Sequence, residues 1–353
     1  MNCCSECFSS NYIKDIINRN NEVGICDFCG STNVSIYNPE ELNLFFRPIF
    51  DLYSIDNENG KSINEQIITD FNGKIFSEKA ERKLTKLLKE IIRDDYGSFK
   101  PLFENNVILS FKKEADKQDL IKPLQISWKN FATEIKTINR FHIQNTIDLD
   151  KLEILIKRYQ KPVKKGKIFY RARISDKNGF SCDRMFNPPA EKTKSGRANP
   201  IGISYLYLAD TEKTTLYEVR ATLYDYVTIG KFRLKEDINV INLSGDTYDP
   251  ILLEDYENGS LEDFLIHQPF INKLELELSK PKRRSDTELD YLPTQYLSEF
   301  IKSIDFDGVE YQSSLYSKGY NLAIFSTHKI ECIDVNVYEI EKLNLEFKEL
   351  TEL

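Results

Sequence analysis

The spacing of apolar residues changes part-way along this chain. In the first 150 residues it is mostly helical. Ala80, Leu84, Leu87, Leu88 and Ile91 fall on one face of a helix predicted over 77–93, with charges elsewhere and Ser77 placed to cap it. Phe45, Phe46, Ile49, Phe50 and Tyr53 recur in the same way after Pro39-Glu40-Glu41, with Pro48 kinking or restarting the helix. The aromatic stripes in this part read as core. Further helices are predicted over 62–71 and 149–159, and either a helix or a helix-strand junction over 126–138 around Trp128. From Lys167 onward short apolar runs predict strands at 168–174, 203–209, 228–234 and 238–243. Helices return at 260–279 and 291–304, the second with Thr294 as its N-cap. Strands follow the Asp307-Gly308 turn and run over 322–326, before an acidic strand-to-tail segment at 335–353. The pattern predicts a cysteine-rich module over 1–38, a mainly helical domain over 39–150 and an α+β domain over 151–353. The basic stretch 161–167 reads as a link.

Composition supports real cores and narrows the partners. Of 353 residues, 41% are hydrophobic and 12% aromatic, and the length predicts more than one domain. The net charge of -8 argues against a general nucleic-acid binder. The sequence has neither a run of 18 apolar residues nor a signal-peptide pattern, which predicts a soluble, cytoplasmic protein without a membrane partner.

Five of the seven cysteines lie within the first 29 residues. Cys4-x-x-Cys7 and Cys26-x-x-Cys29 are two knuckles that can present four thiolates to Zn(II), with Cys3 as an alternative to Cys4. An all-cysteine set leaves no open coordination position, so the expected zinc is structural. Cys182 and Cys332 stand alone and read as small buried apolar residues.

The chemistry concentrates between Ser195 and Ala221. A Gly196-Arg197 turn precedes a strand, and the strand leads to a helix carrying Glu218. A loop arginine can hold a phosphate through two parallel hydrogen bonds. A carboxylate one element later can stabilise positive charge on a sugar carbon. Arg171 and Arg173 share one face of the strand 168–174, which is unusual unless they meet anions or solvent. Tyr205 and Tyr207 share a strand face, from which one ring could stack on a ligand.

Six pieces in this order resemble the RES domain, named for an Arg, a Glu and a Ser. They are Phe169-Tyr170-Arg171-Ala172-Arg173; Gly196-Arg197-Ala198-Asn199-Pro200; Tyr205 to Ala209 with Leu216-Tyr217-Glu218-Val219; Pro293-Thr294-Gln295; Asp307 to Ser313; and Gly319 to Phe325. The N-terminal part is similar to the zinc-knuckle helical extension of the HEPN/RES N-terminal type. Ala198 departs from the family's aromatic and Gln312 from its proline. An Arg-x4-6-His pair of helical HEPN ribonucleases is missing, since residues 135–137 before His142 are Ile, Lys and Thr. RNA cleavage is therefore not expected here.

The resemblance implies an ADP-ribosyltransferase-like split β-sheet with flanking helices, and NAD as substrate. RES proteins are bacterial toxins, often in toxin–antitoxin pairs, that cleave the nicotinamide–ribose bond. The acceptor is water, phosphate or a protein. The residues suit that chemistry. Arg171, Arg173 and Arg197 are expected on the pyrophosphate, with Tyr207 and Asn321 as further NAD-binding residues. Glu218 would stabilise the oxocarbenium-like ribosyl centre, with Arg171 and Ser313 completing the catalytic set. Ser313 is expected to position rather than attack, since no histidine lies near it in sequence. The partners implied are an antitoxin or regulatory protein, a protein acceptor of ADP-ribose, or a second copy of the chain. The competing expectation is a non-catalytic zinc-ribbon interaction module carrying an inactive RES-like scaffold.

Overall fold

The computed structural model describes residues 1–113, 128–144, 147–244, 249–252, 261–280 and 287–343. The ends of three expected elements (126–127, 260 and the tail 344–353) lie outside the described residues. The chain divides into two compact units, Met1–Ile126 with Tyr248–Pro269, and Ser127–Thr247 with Phe270–Leu353. Among the described residues no helix is long and apolar enough to cross a membrane.

The first unit opens with a small antiparallel sheet of β1 (Cys3–Cys4), β2 (Val23–Ile25) and β3 (Thr32–Tyr37), with β3 central, and the helix α1 (Asn11–Asn18). Then come α2 (Asn43–Asp51), β4 (Tyr53–Ile55), α3 (Ile63–Asp70), α4 (Leu84–Ile91), α5 (Tyr96–Glu104) and β5 (Val107–Leu109), which pairs with β4. The aromatic stripe does build the core. Phe46 and Phe50 are fully buried, and Phe8, Phe46 and Phe76 pack as a triplet. Pro48 sits inside α2, and Tyr53 begins β4 instead of extending the helix. The helix predicted over 77–93 is shorter. Glu78–Lys83 form a 3-10 turn, and α4 starts at Leu84, where the apolar face begins. Ser77 caps nothing; its hydroxyl donates to the Glu6 carbonyl.

The second unit contains α6 (helical residues 128–137), α7 (Leu149–Lys157) and an eight-stranded mixed sheet. The strands are β6 (Gln160–Val163), β7 (Ile168–Ser175), β8 (Leu206–Ala209), β9 (Tyr226–Leu234), β10 (Ile238–Leu243), β11 (Gly308–Gln312), β12 (Tyr320–Ile324) and β13 (Ile330–Glu339). Their order is β13-β9-β7-β8-β12-β11-β10-β6, with only β10 and β11 parallel. Three further helices appear: α8 (Glu212–Glu218), α9 (Leu261–Ser279), which belongs to the first unit up to Pro269 and to the second from Phe270 on, and α10 (Leu292–Ser303). The first part of the basic stretch read as a link, 161–163, instead belongs to the edge strand β6, hydrogen-bonded to β10.

The sheet is split near its middle. β7 pairs with β9 over eight residues but with β8 only through Tyr170 and Ala209. Past that point the Ala172 amide, which would otherwise seek a β8 carbonyl, donates to the Thr215 hydroxyl of α8 at 2.7 Å. A buried amide needs a partner, and a threonine wedged from a helix supplies one. The split thus seats α8 between the two halves of the sheet. One core cluster, including Phe169, Leu206, Leu208, Phe232, Val240, Leu322 and Ile324, ties both halves together.

Two expectations about single residues change. Cys182 and Cys332 are joined as a disulfide across 150 positions of sequence. The pairing of β7 with β9 and of β9 with β13 brings them together, which spacing alone does not reveal. Thr294 is not an N-cap. The turn Glu288–Tyr291, closed by a capping box between Thr287 and Asp290, starts the helical run earlier, and Thr294 lies inside α10.

Candidate functional site

At the split lies a cleft of about 550 Å³, within the range of small-molecule pockets. Its walls include Arg171 of β7, Gly196 and Arg197 of the long loop, Tyr207 of β8, Glu218 and Arg220 at the end of α8, Lys280 after α9, Tyr311 and Gln312 of β11, and Asn321 of β12. Four cations and one carboxylate therefore face a shared space.

Glu218 is the last residue of α8. The helix is fixed at its start by Thr211, whose hydroxyl accepts from the Thr214 amide, and along its side by the Thr215 bond to β7. The Glu218 Oε1 accepts from Ser313 Oγ at 2.6 Å and from Asn321 Nδ2 at 2.8 Å. Ser313 and Asn321 come from the ends of β11 and β12, brought against α8 by Gly319. A Cβ at Gly319 would lie 2.1 Å from Thr214 Oγ1. Ser313 is 2% exposed and is not among the lining residues, so its hydroxyl serves the carboxylate. No histidine lines the cleft among the described residues. His267 bonds the Asp263 carbonyl and His328 bonds Ser326.

Arg171 stands in the cleft wall as a costly cation. Its Nη1 is buried without a hydrogen-bond partner among the described residues. Burial, with Arg173 nearby, lowers its pKa from the ordinary guanidinium range to about 10. A desolvated guanidinium of this kind is satisfied when an anion enters. Arg173 is placed differently. Its guanidinium stacks on Phe180 and its Nη1 donates to the Arg184 carbonyl, and it does not line the cleft.

The Gly-Arg loop is braced from several sides. Gln295 Nε2 reaches Ser195 Oγ, the Gly196 carbonyl and the Asn199 carbonyl at 2.8, 2.7 and 3.1 Å. Thr294 Oγ1 donates to the Arg197 carbonyl at 2.7 Å. The Tyr207 hydroxyl donates to Asn199 Oδ1 at 2.7 Å and accepts from the Ala198 amide. Asn199 Nδ2 also meets the Ile203 carbonyl, so 203–205 are held as loop and β8 begins only at Leu206. A Cβ on Gly196 would sit 2.4 Å from Asn199 Oδ1, which explains the glycine. The Arg197 guanidinium lies 5.0 Å from the Tyr291 ring centroid and donates to the Glu277 carbonyl at 3.2 Å.

Ala198 is fully buried and does not line the cleft. Gln312, the other departure, closes the turn after β11 through the Ser317 and Gly319 carbonyls. Tyr205 packs on Phe325 and is 2% exposed. Sequence reasoning assigned no site role to Arg220, Lys280 or Gln295, and gave Thr294 only the part of an N-cap. Thr294 and Gln295 stood in a recognised motif, whereas Arg220 and Lys280 carried no local signal.

The model of the RES domain family matches residues 168–346. The chain belongs to the RES domain family. A solved structure with some likeness is the crystal structure of the M. tuberculosis MbcT–MbcA toxin–antitoxin complex. It is 13% identical, covers 53% of this chain and 93% of that one, and has a TM-score of 0.31. None of the curated proteins matches. The RES segment contains every residue of the cleft wall named above, Arg171 to Asn321.

A second candidate site lies in the first unit. The Sγ atoms of Cys4, Cys7, Cys26 and Cys29 lie within 4.8 Å of one another. Cys4–Cys29 and Cys7–Cys26 are 3.5 and 3.4 Å apart. A zinc–sulfur bond of about 2.3 Å separates tetrahedral ligands by about 3.8 Å, so this donor set fits Zn(II). The geometry of the four sulfur atoms carries the assignment, and Cys26 Sγ also accepts from the Cys29 amide, which orients the second knuckle. Cys3 points elsewhere, to the Tyr37 carbonyl, and is outside the cluster.

Proposed function

We propose that the RES domain of this chain cleaves the bond between nicotinamide and ribose in NAD. The observation that carries the reading is Glu218, a carboxylate held in one orientation by Ser313 and Asn321 in a cleft whose other charged lining residues, among those described, are cations. Arg171 and Arg197 would meet the pyrophosphate, relieving the unpartnered Arg171 Nη1. Nicotinamide leaves as a neutral ring, taking the electron pair of the broken C–N bond. No second carboxylate is needed to protonate it, and none lines the cleft among the described residues. The ribosyl carbon is left electron-poor, and Glu218 would stabilise it through the ring or its hydroxyls. With Oε1 bonded to Ser313 and Asn321, a bound ribose would meet Oε2. An acceptor then attacks the ribosyl carbon and loses its proton. Water gives ADP-ribose, phosphate a phosphorylated ADP-ribose, and a protein side chain an ADP-ribosylated protein.

On this reading the chain is a toxin or defence effector that depletes NAD, restrained by an inhibitor protein able to cover the cleft. The zinc cluster would hold the N-terminal module together without entering the reaction. The test is mass spectrometry of the products from NAD, with and without phosphate or cell lysate. Wild type should release nicotinamide. Glu218→Gln should lose at least about 100-fold in kcat with unchanged melting, as expected when a group acting on transition-state charge is removed. A wild type that releases no nicotinamide with water, phosphate or lysate would overturn the reading.

A further inference from the structure

Two tyrosines outside the cleft wall connect the elements that meet at Glu218. Tyr217 precedes Glu218 at the end of α8, and Tyr316 lies in the turn after Ser313. Their rings stack with centroids 5.3 Å apart and planes 9° from parallel. Tyr217 stays 42% exposed, so burial alone does not hold it there. Lys213, one turn earlier on α8, places its Nζ 5.1 Å from the Tyr316 ring centroid. A parallel stack with a cation over one ring is a directional contact.

The contact has a consequence for a proton. The Tyr316 amide donates to Ser313 Oγ at 3.2 Å, and Ser313 Oγ lies 2.6 Å from Glu218 Oε1. A serine hydroxyl has one hydrogen and two lone pairs and rotates freely unless a donor occupies a lone pair. With the Tyr316 amide on one lone pair, the hydroxyl hydrogen is directed to Glu218. A closed circuit results, running Tyr217 to Tyr316 by stacking, to Ser313 and Glu218 by hydrogen bonds, and back to Tyr217 by one peptide bond.

We infer that the Tyr217–Tyr316 stack is a positioning device that fixes the Glu218 carboxylate through Ser313. The inference rests on the proposed reading of Glu218 as the group that stabilises the ribosyl centre. Neither tyrosine lines the cleft, so the stack acts on turnover and not on substrate binding.

The test uses the full chain and NAD. Tyr217→Ala and Tyr316→Ala should each lower kcat for nicotinamide release about tenfold, about 1.4 kcal/mol in barrier, with KM held within about twofold. Tyr316→Phe keeps the ring and should keep wild-type kcat. In a Ser313→Ala background, Tyr316→Ala should lower kcat no further, because the path runs through Ser313. Full kcat in the alanine variants, a rise confined to KM, or an equal loss in the Ser313→Ala background overturns the inference. Amide exchange over residues 313–319, followed by mass spectrometry, reads the stack without turnover. Tyr217→Ala should speed exchange there, and unchanged protection also overturns the inference. A wild type releasing no nicotinamide would defeat the NAD reading itself, while the exchange measurement still decides the stack.

Discussion

Glu310 has a burial cost that its neighbours only half relieve. It is 1% exposed, accepts from Lys161 at Oε1 at 2.7 Å, and has no hydrogen-bond partner at Oε2 among the described residues. Burial raises its pKa above the ordinary 4.5 despite the lysine. With the folded value raised, the unfolded chain gives up this proton first, so stability is lost as pH rises above 4.5. Glu310→Gln keeps a neutral side chain at every pH. Thermal melts from about pH 4 to about pH 8 should show wild type losing ground to Glu310→Gln as pH rises. A constant difference between the two would refute this assignment. Residue types such as Glu218, Ser313 and Asn321 were legible in the sequence, because their motifs stand in a recognisable order. Their mutual bonds were not legible, since 95 positions separate Ser313 from Glu218 and 103 separate Asn321 from it. Arg173 illustrates the limit of strand alternation. It shares a strand with Arg171, yet packs on Phe180 away from the cleft.

Periodicity located most elements, and tertiary contacts set their ends. β8 is shorter than its apolar run because the Asn199 amide takes the Ile203 carbonyl. α10 starts before Thr294, freeing that hydroxyl to hold the Arg197 carbonyl. The start of α10 therefore acts as a brace for the Gly-Arg loop, with Gln295 making its central contacts. Replacing a buried polar partner leaves carbonyls unsatisfied at about 1–3 kcal/mol each. Gln295→Leu should raise KM for NAD at least about tenfold, with a smaller change in kcat, because the loop that positions Arg197 loosens. Steady-state kinetics alongside a melting curve checks this, and an unchanged KM would remove α10 from the account of binding. The same logic explains α8, where Thr215 serves the β7 amide that the split leaves without a strand partner.

The whole molecule separates its two chemistries between its two units. The four cysteines of the thiolate cluster lie in the first unit and the cleft residues in the second. Purified protein should carry about one zinc per chain by elemental analysis. Removal by a chelator, or Cys26→Ser, should lower the melting transition of the first unit, since a segment with so small a core depends on its metal. Nicotinamide release should persist, and its parallel loss would show that the metal cluster supports the cleft. The sequence by itself determined the helical and strand-rich regions, the four-cysteine set and the order of the RES motifs. Those depend on local spacing and residue type. Only the tertiary structure decided the Cys182–Cys332 disulfide, the edge strand at 160–163, and the split that seats α8. It also decided which arginine enters the cleft. These follow from strand order and from the partners that buried amides and carbonyls find across the sheet, which pair residues too far apart in sequence for any local pattern to register.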